Sequence, residues 1–427
     1  MLEKYKSNTP NSREFWERSN KVFAGGINHN IRTFGLDRCG AYPPFINRGK
    51  GSHIWDIDGN EYIDWWMTHF SAILGHNHPS IEEAITDQVQ QGHHFGALNP
   101  FQVEFAESLA DAIPFLKKMR FCSTGAEATM YAVRLARLFT GRGLVAKALG
   151  GWHGGNDALG YYLKHPFSDE PFYDGVAFNF NDRDSVDIMM KEHGDRLAAV
   201  IVEPVLGAGG GLAPQNSFLE YLREETEKRD IILIFDEIIT GFRFSYGSAG
   251  MDIHGVQPDL ITLGKIAGGG MHLGVYGGRE DLMALAVPKA ERGRWVGGGT
   301  FSSHPLTMVA GLATLRALKK RVEEYGKLNA RGDDLRDNLN DLFEASNSNL
   351  LATGTGSLVF VHWLNNPIEP PYTGTDIANN LNHSELDRFQ SMLVENGVFG
   401  YHGLGALSFE HTPYDVNETI NVITQLL

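Results

Sequence analysis

Apolar runs followed by glycine recur through the first two thirds of the chain. The segments LAAVIVEP, IILIFDE and LITLGK each place consecutive leucine-rich or β-branched positions ahead of a polar residue. Between them lie stretches with the spacing of amphipathic helices, such as GAEATMYAVRLARLFTG. Runs that are apolar on both faces and separated by helices are typical of a mostly parallel sheet covered by helices. The pattern therefore predicts an α/β fold.

Outside this region the pattern predicts smaller elements. Alternation around Asp58, Gly59 and Asn60 indicates a β-hairpin. After Pro305 a long amphipathic stretch predicts one or two helices that leave the large domain. We therefore expect an N-terminal segment that joins the small domain, a large domain and a C-terminal small domain. Their predicted bounds are residues 1–55, 56–315 and 316–427.

Composition narrows the classes of partner. The 427 residues suffice for two or three domains at roughly 150 residues each. A formal net charge of -15 argues against nucleic acid and anionic membranes, which both need a basic surface. Only Cys39 and Cys122 occur, so a disulfide framework is excluded and a reducing, cytoplasmic setting is expected. The charged start of the chain lacks a signal-peptide pattern, and no apolar run is long enough to span a bilayer.

One lysine stands out because of its position. Lys265 follows the apolar run PDLITLG and precedes a glycine-rich turn, so we predict it at a strand end, where a desolvated amine can form an imine. Asp236 ends the run IILIF, where a carboxylate needs a positive partner such as a protonated ring nitrogen. A helix N-cap and an ion pair with Arg243 are its alternatives. Ligands of parallel sheets bind beyond the carboxyl ends of the strands, where both residues are predicted.

A strand-to-helix turn is the candidate phosphate site. The residues STGA, 123–126, join a predicted strand to a helix, whose free amides and positive end suit an anion. A nucleotide loop is excluded, because Lys265 is followed by Ile266 rather than by Ser or Thr, and GAGGG is followed by Leu212 where GxGxxG needs glycine. Trp152 follows another predicted strand and either stacks on a cofactor ring or belongs to the core.

Several histidines invite a metal-site interpretation. His76 and His78 form an HxH pair, and His93 adjoins His94. However, no set of four nitrogen or sulfur ligands has the spacing of a structural zinc site, and cysteines are scarce. We therefore expect no bound metal.

The motifs STGAEA, WHG, VEP, DEIITGFR, LGK and GGTFSSHPL occur in an order that resembles the class III pyridoxal-phosphate aminotransferases of fold type I, and within them the glutamate-1-semialdehyde aminomutase branch. The resemblance extends from Gly25 to His411. It implies pyridoxal 5'-phosphate, a Schiff base with Lys265, which also carries protons, and a ring nitrogen kept protonated by Asp236. Thr300 matches a residue that reaches the phosphate in the neighbouring subunit, which implies a homodimer. The implied cofactor-binding positions are Ser123, Thr124, Gly125, Ala126, Trp152, His153, Glu203, Asp236, Ile238, Lys265 and Thr300.

The resemblance extends to the ring faces and the substrate side. It implies that Trp152 and Ile238 enclose the cofactor ring. Arg32 matches an arginine that binds a substrate carboxylate in the aminomutase branch and in β-amino-acid transaminases, a task that suits a bidentate guanidinium. His69 and His402 belong to the loops expected around the substrate.

Three departures separate this chain from the aminomutase pattern. Gly403 stands where FEAGF carries a glutamate, His69 replaces the tryptophan of TWGPAICGH, and GTFSGNPL reads GTFSSHPL. We therefore expect an aminotransferase acting between a carboxylate-bearing amine, with β-amino acids among the candidates, and a keto acid. The alternatives are a glutamate-1-semialdehyde 2,1-aminomutase, a keto-sugar aminotransferase and an inert binding protein of the same fold.

Overall fold

The computed structural model describes residues 2–161, 175–287, 297–370 and 372–427. The chain divides into two compact units. Unit 1 comprises Met1–His78, Leu328–Pro367 and Asn380–Leu427, and unit 2 comprises Pro79–Lys327 and Ile368–Asn379. The domain bounds given above stay a prediction, since they follow changes of sequence pattern whereas the units follow packing. Within the part of the chain that the structure describes, no helix combines the length and apolarity needed to cross a bilayer.

The elements alternate along the chain. The strands are β1 Ile46–Lys50, β2 His53–Asp56, β3 Glu61–Asp64, β4 Lys118–Cys122, β5 Leu144–Ala148, β6 Gly175–Phe178, β7 Leu197–Val202, β8 Ile232–Glu237, β9 Leu260–Gly264, β10 Gly274–Gly278, β11 Leu350–Thr353, β12 Leu358–Trp363, β13 Val398–Phe399 and β14 Gly405–Ala406. The helices are α1 Glu3–Asn8, α2 Pro10–Val22, α3 Met67–Phe70, α4 Pro79–Gln91, α5 Pro100–Ala112, α6 Gly125–Thr140, α7 Arg183–His193, α8 Phe218–Glu227, α9 Ala249–Asp252, α10 Glu280–Met283, α11 Pro305–Lys319, α12 Tyr325–Ala345, α13 Gly374–Asn380, α14 His383–Glu395 and α15 Pro413–Leu426.

A seven-stranded sheet with the order β4-β10-β9-β8-β7-β5-β6 organises unit 2. Strand β10 runs antiparallel to both of its neighbours, β4 and β9, and the remaining pairs are parallel. The predicted α/β fold with a mostly parallel sheet is thereby confirmed. The carboxyl ends of β4, β5, β7, β8 and β9 consequently meet at one edge of the sheet.

The sheet forms the core of unit 2 because helices cover both of its faces. Every residue of β5, β7, β8, β9 and β10 is buried. Burying each isoleucine, leucine or valine of these strands contributes roughly 1.5–3 kcal/mol. Continuous apolar runs, rather than alternating ones, are therefore what this sheet requires.

Helix α6 begins and ends where its sequence predicts. Thr124 is the N-cap, and its hydroxyl accepts a hydrogen bond from the amide of Glu127, whose carboxylate bonds back to the Thr124 amide in a capping box. Gly141 ends the helix with a φ of 71°, a left-handed conformation that glycine adopts without a Cβ clash. The cap fixes the direction in which α6 leaves β4.

Unit 1 contains two small sheets, β1-β2-β3-β13 and β11-β12-β14. The predicted hairpin is confirmed, since β2 and β3 pair antiparallel across the turn at Gly59. After β3 the chain makes an unusual left-handed turn, because Met67, Thr68, His69 and Phe70 all have positive φ values between 42° and 68°. Such a conformation costs non-glycine residues roughly 1–2 kcal/mol each, so the surrounding packing must hold it in place.

Candidate active site

Lys265 is the first residue after β9 and opens a short 3-10 turn, Lys265–Gly268. Its φ of 39° is strained for a residue with a side chain. Burial lowers the pKa of its ammonium group, while the carboxylates of Asp236 and Glu203 oppose that shift. A larger fraction of neutral amine makes this lysine a better nucleophile and base.

Asp236 lies in β8, next to β9, and both of its carboxylate oxygens are held. Oδ1 accepts hydrogen bonds from the Ile238 amide at 3.1 Å and from the Thr262 hydroxyl at 3.0 Å. Oδ2 lies 2.8 Å from Nδ1 of His153. With only 3% of the residue exposed, its carboxylate has a fixed orientation. This arrangement differs from the helix cap and the Arg243 ion pair considered from the sequence.

His153 supports Asp236 from the loop after β5. Because an ionised carboxylate only accepts, Nδ1 of the imidazole carries the proton and donates it to Asp236. Burial lowers the pKa of His153 more strongly than the neighbouring carboxylate raises it, so the ring stays neutral. Its Nε2 atom is buried without a hydrogen-bond partner among the described residues. The sequence motif identified His153 but did not predict its bond to Asp236, which joins residues 83 positions apart.

The predicted phosphate turn lies at the N-terminus of α6. The carboxylate of Glu127 accepts hydrogen bonds from the amides of Ser123, at 2.7 Å, and of Thr124, at 3.2 Å. The next two amides, of Gly125 and Ala126, have no hydrogen-bond acceptor within the described chain. Two free amides at the positive end of a helix are suited to an anion such as phosphate.

Neighbouring loops pack closely onto this turn. A Cβ at Gly154 would lie 2.5 Å from Cβ of Ala126, so only glycine permits the approach. Added Cβ atoms at Gly125 and Gly264 would lie 3.0 Å and 3.1 Å from Cδ1 of Ile238. Ile238 therefore lies between the phosphate turn and the strand that leads to Lys265, which is where one ring face of a cofactor would be.

Trp152 and Glu203 lie beyond the carboxyl ends of β5 and β7, at the same edge of the sheet as Asp236 and Lys265. Trp152 is 43% exposed, so it is not a core residue and its indole face is accessible. Glu203 follows β7 and accepts hydrogen bonds from the amides of Trp152, at 3.3 Å, and of Gly207, at 3.2 Å. Glu203 thus holds the loop that carries Trp152.

The titration of Glu203 gives a testable pH dependence. Burial, with a smaller contribution from Asp236, raises its pKa from 4.5 to about 8. The folded state holds this proton more tightly than the unfolded state, so the stability from protonated Glu203 is complete below pH 4.5 and lost as the pH rises towards 8. As Glu203 ionises between about pH 5.5 and about pH 8.5, the cofactor-free wild-type protein should lose unfolding free energy. Glutamine cannot ionise, so we expect this loss to be smaller in Glu203→Gln by roughly 3 kcal/mol.

Urea denaturation followed by tryptophan fluorescence at the two pH values measures this difference. Glu227→Gln, on the exposed side of α8, is the matched control and should keep the wild-type difference. An unchanged difference in Glu203→Gln would show that Glu203 ionises normally.

Thr300 lies in an exposed turn of unit 2, beside a second exposed loop. The Asn99 side chain donates a hydrogen bond of 3.0 Å to the carbonyl of Ser303, which ties the two segments together. Three large apolar side chains on these segments are exposed, namely Phe95 at 47%, Leu98 at 89% and Phe301 at 57%. Apolar patches of this kind mark interaction surfaces.

The predicted substrate residues Arg32, His69 and His402 all lie in unit 1, whereas the cofactor positions all lie in unit 2. Arg32 is exposed, and His69 and His402 are half-buried. His69 is part of the left-handed turn, and His402 also has a positive φ, of 58°.

Two of the histidines considered as metal ligands, His76 and His94, have other contacts. Nε2 of His76 lies 2.6 Å from the Asp64 carboxylate. The ring of His94 stacks on that of His304, with centroids 5.2 Å apart. Among the described residues, no group of three or more histidine, cysteine, aspartate or glutamate side chains has the arrangement of a metal site.

Known proteins resemble this chain in sequence and in fold. The sequence profile of the family "Aminotransferase class-III" matches residues 38–368. Glutamate-1-semialdehyde 2,1-aminomutase 2 of Lachnoclostridium phytofermentans is 35% identical over 97% of this chain and 99% of its own length. The enzyme named likewise in Bacillus pumilus is 36% identical over 97% of both chains.

Solved structures of transaminases are similar as well. An omega-transaminase from Sphaerobacter thermophilus has a TM-score of 0.86 and 31% identity, over 97% of this chain and 96% of its own. A beta-phenylalanine aminotransferase from Variovorax paradoxus has a TM-score of 0.88 and 29% identity, over 99% of this chain and 94% of its own. The similar sequences are thus named as aminomutases, whereas these similar structures are named as transaminases.

Proposed function

Because the chain belongs to the class-III aminotransferase family, we propose that it moves an amino group between a carboxylate-bearing amine, with β-amino acids among the candidates, and a keto acid. The protein is a pyridoxal-phosphate-dependent enzyme of fold type I, as are the members of its family. Which amine and which acceptor it uses is the proposed part.

The residues at the sheet edge fit pyridoxal phosphate. The fixed carboxylate of Asp236 suits a protonated pyridine nitrogen, and the free amides of Gly125 and Ala126 suit the phosphate. Lys265 carries the amine that condenses with the aldehyde. These assignments rest on the burial, hydrogen bonds and free donors of the side chains themselves.

The reaction follows from the charge states of these groups. When bound, pyridoxal phosphate supplies a carbonyl carbon that condenses with amines and a protonated ring that withdraws electrons. Lys265 would hold that carbon through its side-chain amine until a substrate amine takes its place. The neutral amine of Lys265 would then serve as the base that takes the substrate Cα proton and as the acid that returns it, since its lowered pKa leaves it largely uncharged. Asp236 would keep a bound ring nitrogen protonated, and His153 holds Asp236 in position.

Arg32, His69 and His402 are proposed to bind the substrate. A guanidinium that has no ion pair among the described residues suits a carboxylate, and Arg32 is such a group. His69 and His402 would then contact the remainder of the substrate. The Variovorax relative acts on beta-phenylalanine according to its name, which supports a β-amino acid.

Gly403 is the observation that carries the choice of transaminase over aminomutase. Its φ is +79°, and an added Cβ would lie 2.1 Å from the carbonyl oxygen of Val361. Real Cβ atoms do not approach a backbone oxygen so closely, so the glutamate of the aminomutase pattern FEAGF has no room on this backbone. The named relatives at 35% and 36% identity favour the aminomutase, which stays the second candidate.

The crowding at Gly403 is itself testable. We expect Gly403→Ala to lower the unfolding free energy by about 3 kcal/mol or more, because the methyl group must displace the β12 backbone and the left-handed conformation is strained. Gly40→Ala is the control, since Gly40 also has positive φ but open space around it, and it should cost only about 1 kcal/mol. Equal costs in urea titrations would show that position 403 has room for a side chain.

One incubation separates the two candidates. The purified holoenzyme is given glutamate-1-semialdehyde with no other amino acceptor, and the formation of 5-aminolevulinate is followed over time. We expect none above background, whereas β-amino acids with a keto acid should react. Steady formation of 5-aminolevulinate would overturn the proposed function in favour of the aminomutase.

We further propose that the protein is a homodimer in which Thr300 of one subunit serves the phosphate of the other. The exposed apolar patch of Phe95, Leu98 and Phe301 around this turn supports it. Thr300→Ala should lower activity by about tenfold through loss of a hydrogen bond to a charged group.

Mixing two defective variants tests whether Thr300 of one subunit acts in the site of the other. A mixed dimer of Thr300→Ala and Lys265→Ala contains one site with both groups intact, so unfolding and refolding an equal mixture should restore about a quarter of wild-type activity. If the mixture only averages the two parents, each Thr300 serves its own subunit. Sedimentation velocity gives the oligomeric state independently.

We also propose a cytoplasmic location, on the grounds of the cysteines. Cys39 and Cys122 are both free. Burial raises the pKa of Cys122 to about 12, which keeps this thiol unreactive. A free pair of cysteines in a chain of this length suits a reducing compartment.

A further inference from the structure

Lys147 is a buried lysine that the reaction described above does not use. It lies in β5, and none of its surface is exposed. Its Nζ atom donates a hydrogen bond of 2.9 Å to the carbonyl of Gly151 and lies 5.0 Å from the centre of the Tyr161 ring. Burying an ammonium group is costly even where it has polar partners, and an apolar residue would stabilise the sheet more. A charge retained inside the sheet therefore indicates a task other than stability.

Lys147 is one of several buried side chains that hold the loop from Gly151 to His153. Glu203 accepts a hydrogen bond of 3.3 Å from the second amide of this loop. The hydroxyl of Thr129, in α6, donates a hydrogen bond of 2.6 Å to the carbonyl of His153. Lys147 thus acts on the same three-residue segment that carries the imidazole bonded to Asp236.

The charge of His153 depends on groups from several elements. Burial lowers the pKa of this imidazole most, Asp236 in β8 raises it, and Lys147 in β5 lowers it again. Glu203, after β7, bonds to the backbone of the loop, and α6 contributes Thr129, which carries no charge. Among the described residues, one anion and one cation therefore compete over the proton of the buried ring.

The second ring nitrogen of His153 also distinguishes the two charge states. Because Nδ1 donates to Asp236, Nε2 carries a lone pair in the neutral ring and a proton in the imidazolium. Nε2 is buried without a hydrogen-bond partner among the described residues, and a Cβ added to Gly151 would lie 2.9 Å from it. A buried N–H group that lacks an acceptor is costly. The surroundings of Nε2 therefore suit the neutral ring.

We propose that Lys147 is a positioning residue, whose buried ammonium holds the carbonyl of Gly151 and keeps His153 a neutral donor to Asp236. An imidazolium would form an ion pair with that carboxylate and compete with a protonated pyridine nitrogen for its negative charge. A neutral imidazole orients Asp236 without neutralising it. This inference rests on the proposed function, in which Asp236 keeps a bound ring nitrogen protonated.

Nitrogen NMR of isotope-labelled histidine tests the charge of His153 without turnover. The full-length holoenzyme is used, and the ring signals of His153 are identified by their absence in His153→Asn. In the wild type we expect a neutral ring with its proton on Nδ1 between about pH 6 and about pH 8.5. In Lys147→Gln and Lys147→Met the ring should begin to protonate at a pH at least about one unit higher than in the wild type.

The two variants separate charge from hydrogen bonding. Glutamine keeps a donor for the carbonyl of Gly151 without the charge, whereas methionine keeps neither, so equal shifts would assign the effect to the charge. An imidazolium in the wild type at neutral pH would overturn the proposal whether or not the variants fold. A ring that stays neutral in both variants, over the whole pH range in which they are folded, would overturn it as well.

The pH dependence of turnover separates this role from support of the loop. A displaced loop lowers kcat by one factor at every pH, whereas protonation of His153 lowers it only on the acid side. We expect the acid limb of kcat to lie about one pH unit higher in Lys147→Gln than in the wild type. The shift should be absent between His153→Asn and the double variant, because asparagine does not titrate.

Lys191→Gln, on the exposed surface of α7, is the control for loss of a lysine charge and should keep the wild-type pH profile. Parallel profiles in the wild type and Lys147→Gln would show that Lys147 only supports the loop, and would refute the proposal. The NMR signals of His153 decide the role of Lys147 even if the enzyme transfers no amino group from β-amino acids. The failure of this inference can therefore be told apart from the failure of the proposed function.

Discussion

Replacing Lys265 by alanine is expected to lower turnover by at least about 10⁴-fold while the protein stays folded. The lysine is proposed to act twice, first as the covalent attachment point and then as the proton carrier, and proton transfer alone contributes about 10²–10⁴-fold. Alanine keeps the Cβ, so the strain at φ 39° is unchanged and the turn after β9 should persist. Steady-state kinetics with a β-amino acid donor and a keto acid measures the loss.

Two further measurements make this result specific. Borohydride reduction of the wild-type holoenzyme followed by peptide mass spectrometry should place the cofactor on Lys265, and the variant should carry no such adduct. Lys191→Ala, on the exposed surface of α7, is the control and should keep full activity. Attachment at another lysine would contradict the assignment even if the variant were inactive.

Replacing Asp236 by asparagine is the second change with a large expected effect. The amide oxygen can still accept from Ile238 and Thr262, so the fold of the loop should survive. The negative charge is lost, and with it the reason for the pyridine nitrogen to stay protonated in a buried site. We expect kcat to fall by about 10²–10³-fold, the usual effect of removing one buried electrostatic group.

The spectrum of the bound cofactor should change together with the rate, which distinguishes loss of ring protonation from misfolding. His153→Ala should give a smaller loss, because it removes the hydrogen bond to Oδ2 but leaves the carboxylate charged. A kcat within threefold of wild type in Asp236→Asn would exclude the proposed role. A larger loss of kcat in Asp236→Asn than in His153→Ala would therefore support Asp236 as the charged group and His153 as the residue that positions it.

Local sequence determined the elements and their ends. The apolar runs before Glu203, Asp236 and Lys265 became β7, β8 and β9, because strands buried on both faces must be apolar throughout. The STGAEA turn became a capped helix start at Thr124, since hydroxyl and carboxylate side chains bond to amides only a few residues away. Interactions between near neighbours are readable in a sequence, and that made the strand end before Lys265 and the helix start at Thr124 predictable.

Only the tertiary structure decided which distant groups meet. The bond between His153 and Asp236 depends on the sheet order, which sets the ends of β5, β7 and β8 side by side and has no signature in either segment. The left-handed run that presents His69 contradicts local propensity, so packing and not sequence pattern selects it. The chain by itself therefore determined that Lys265 lies at a strand end, and its attachment to pyridoxal phosphate is a prediction. The packing decided which side chains orient its partners, and that Gly403 leaves no room for a glutamate.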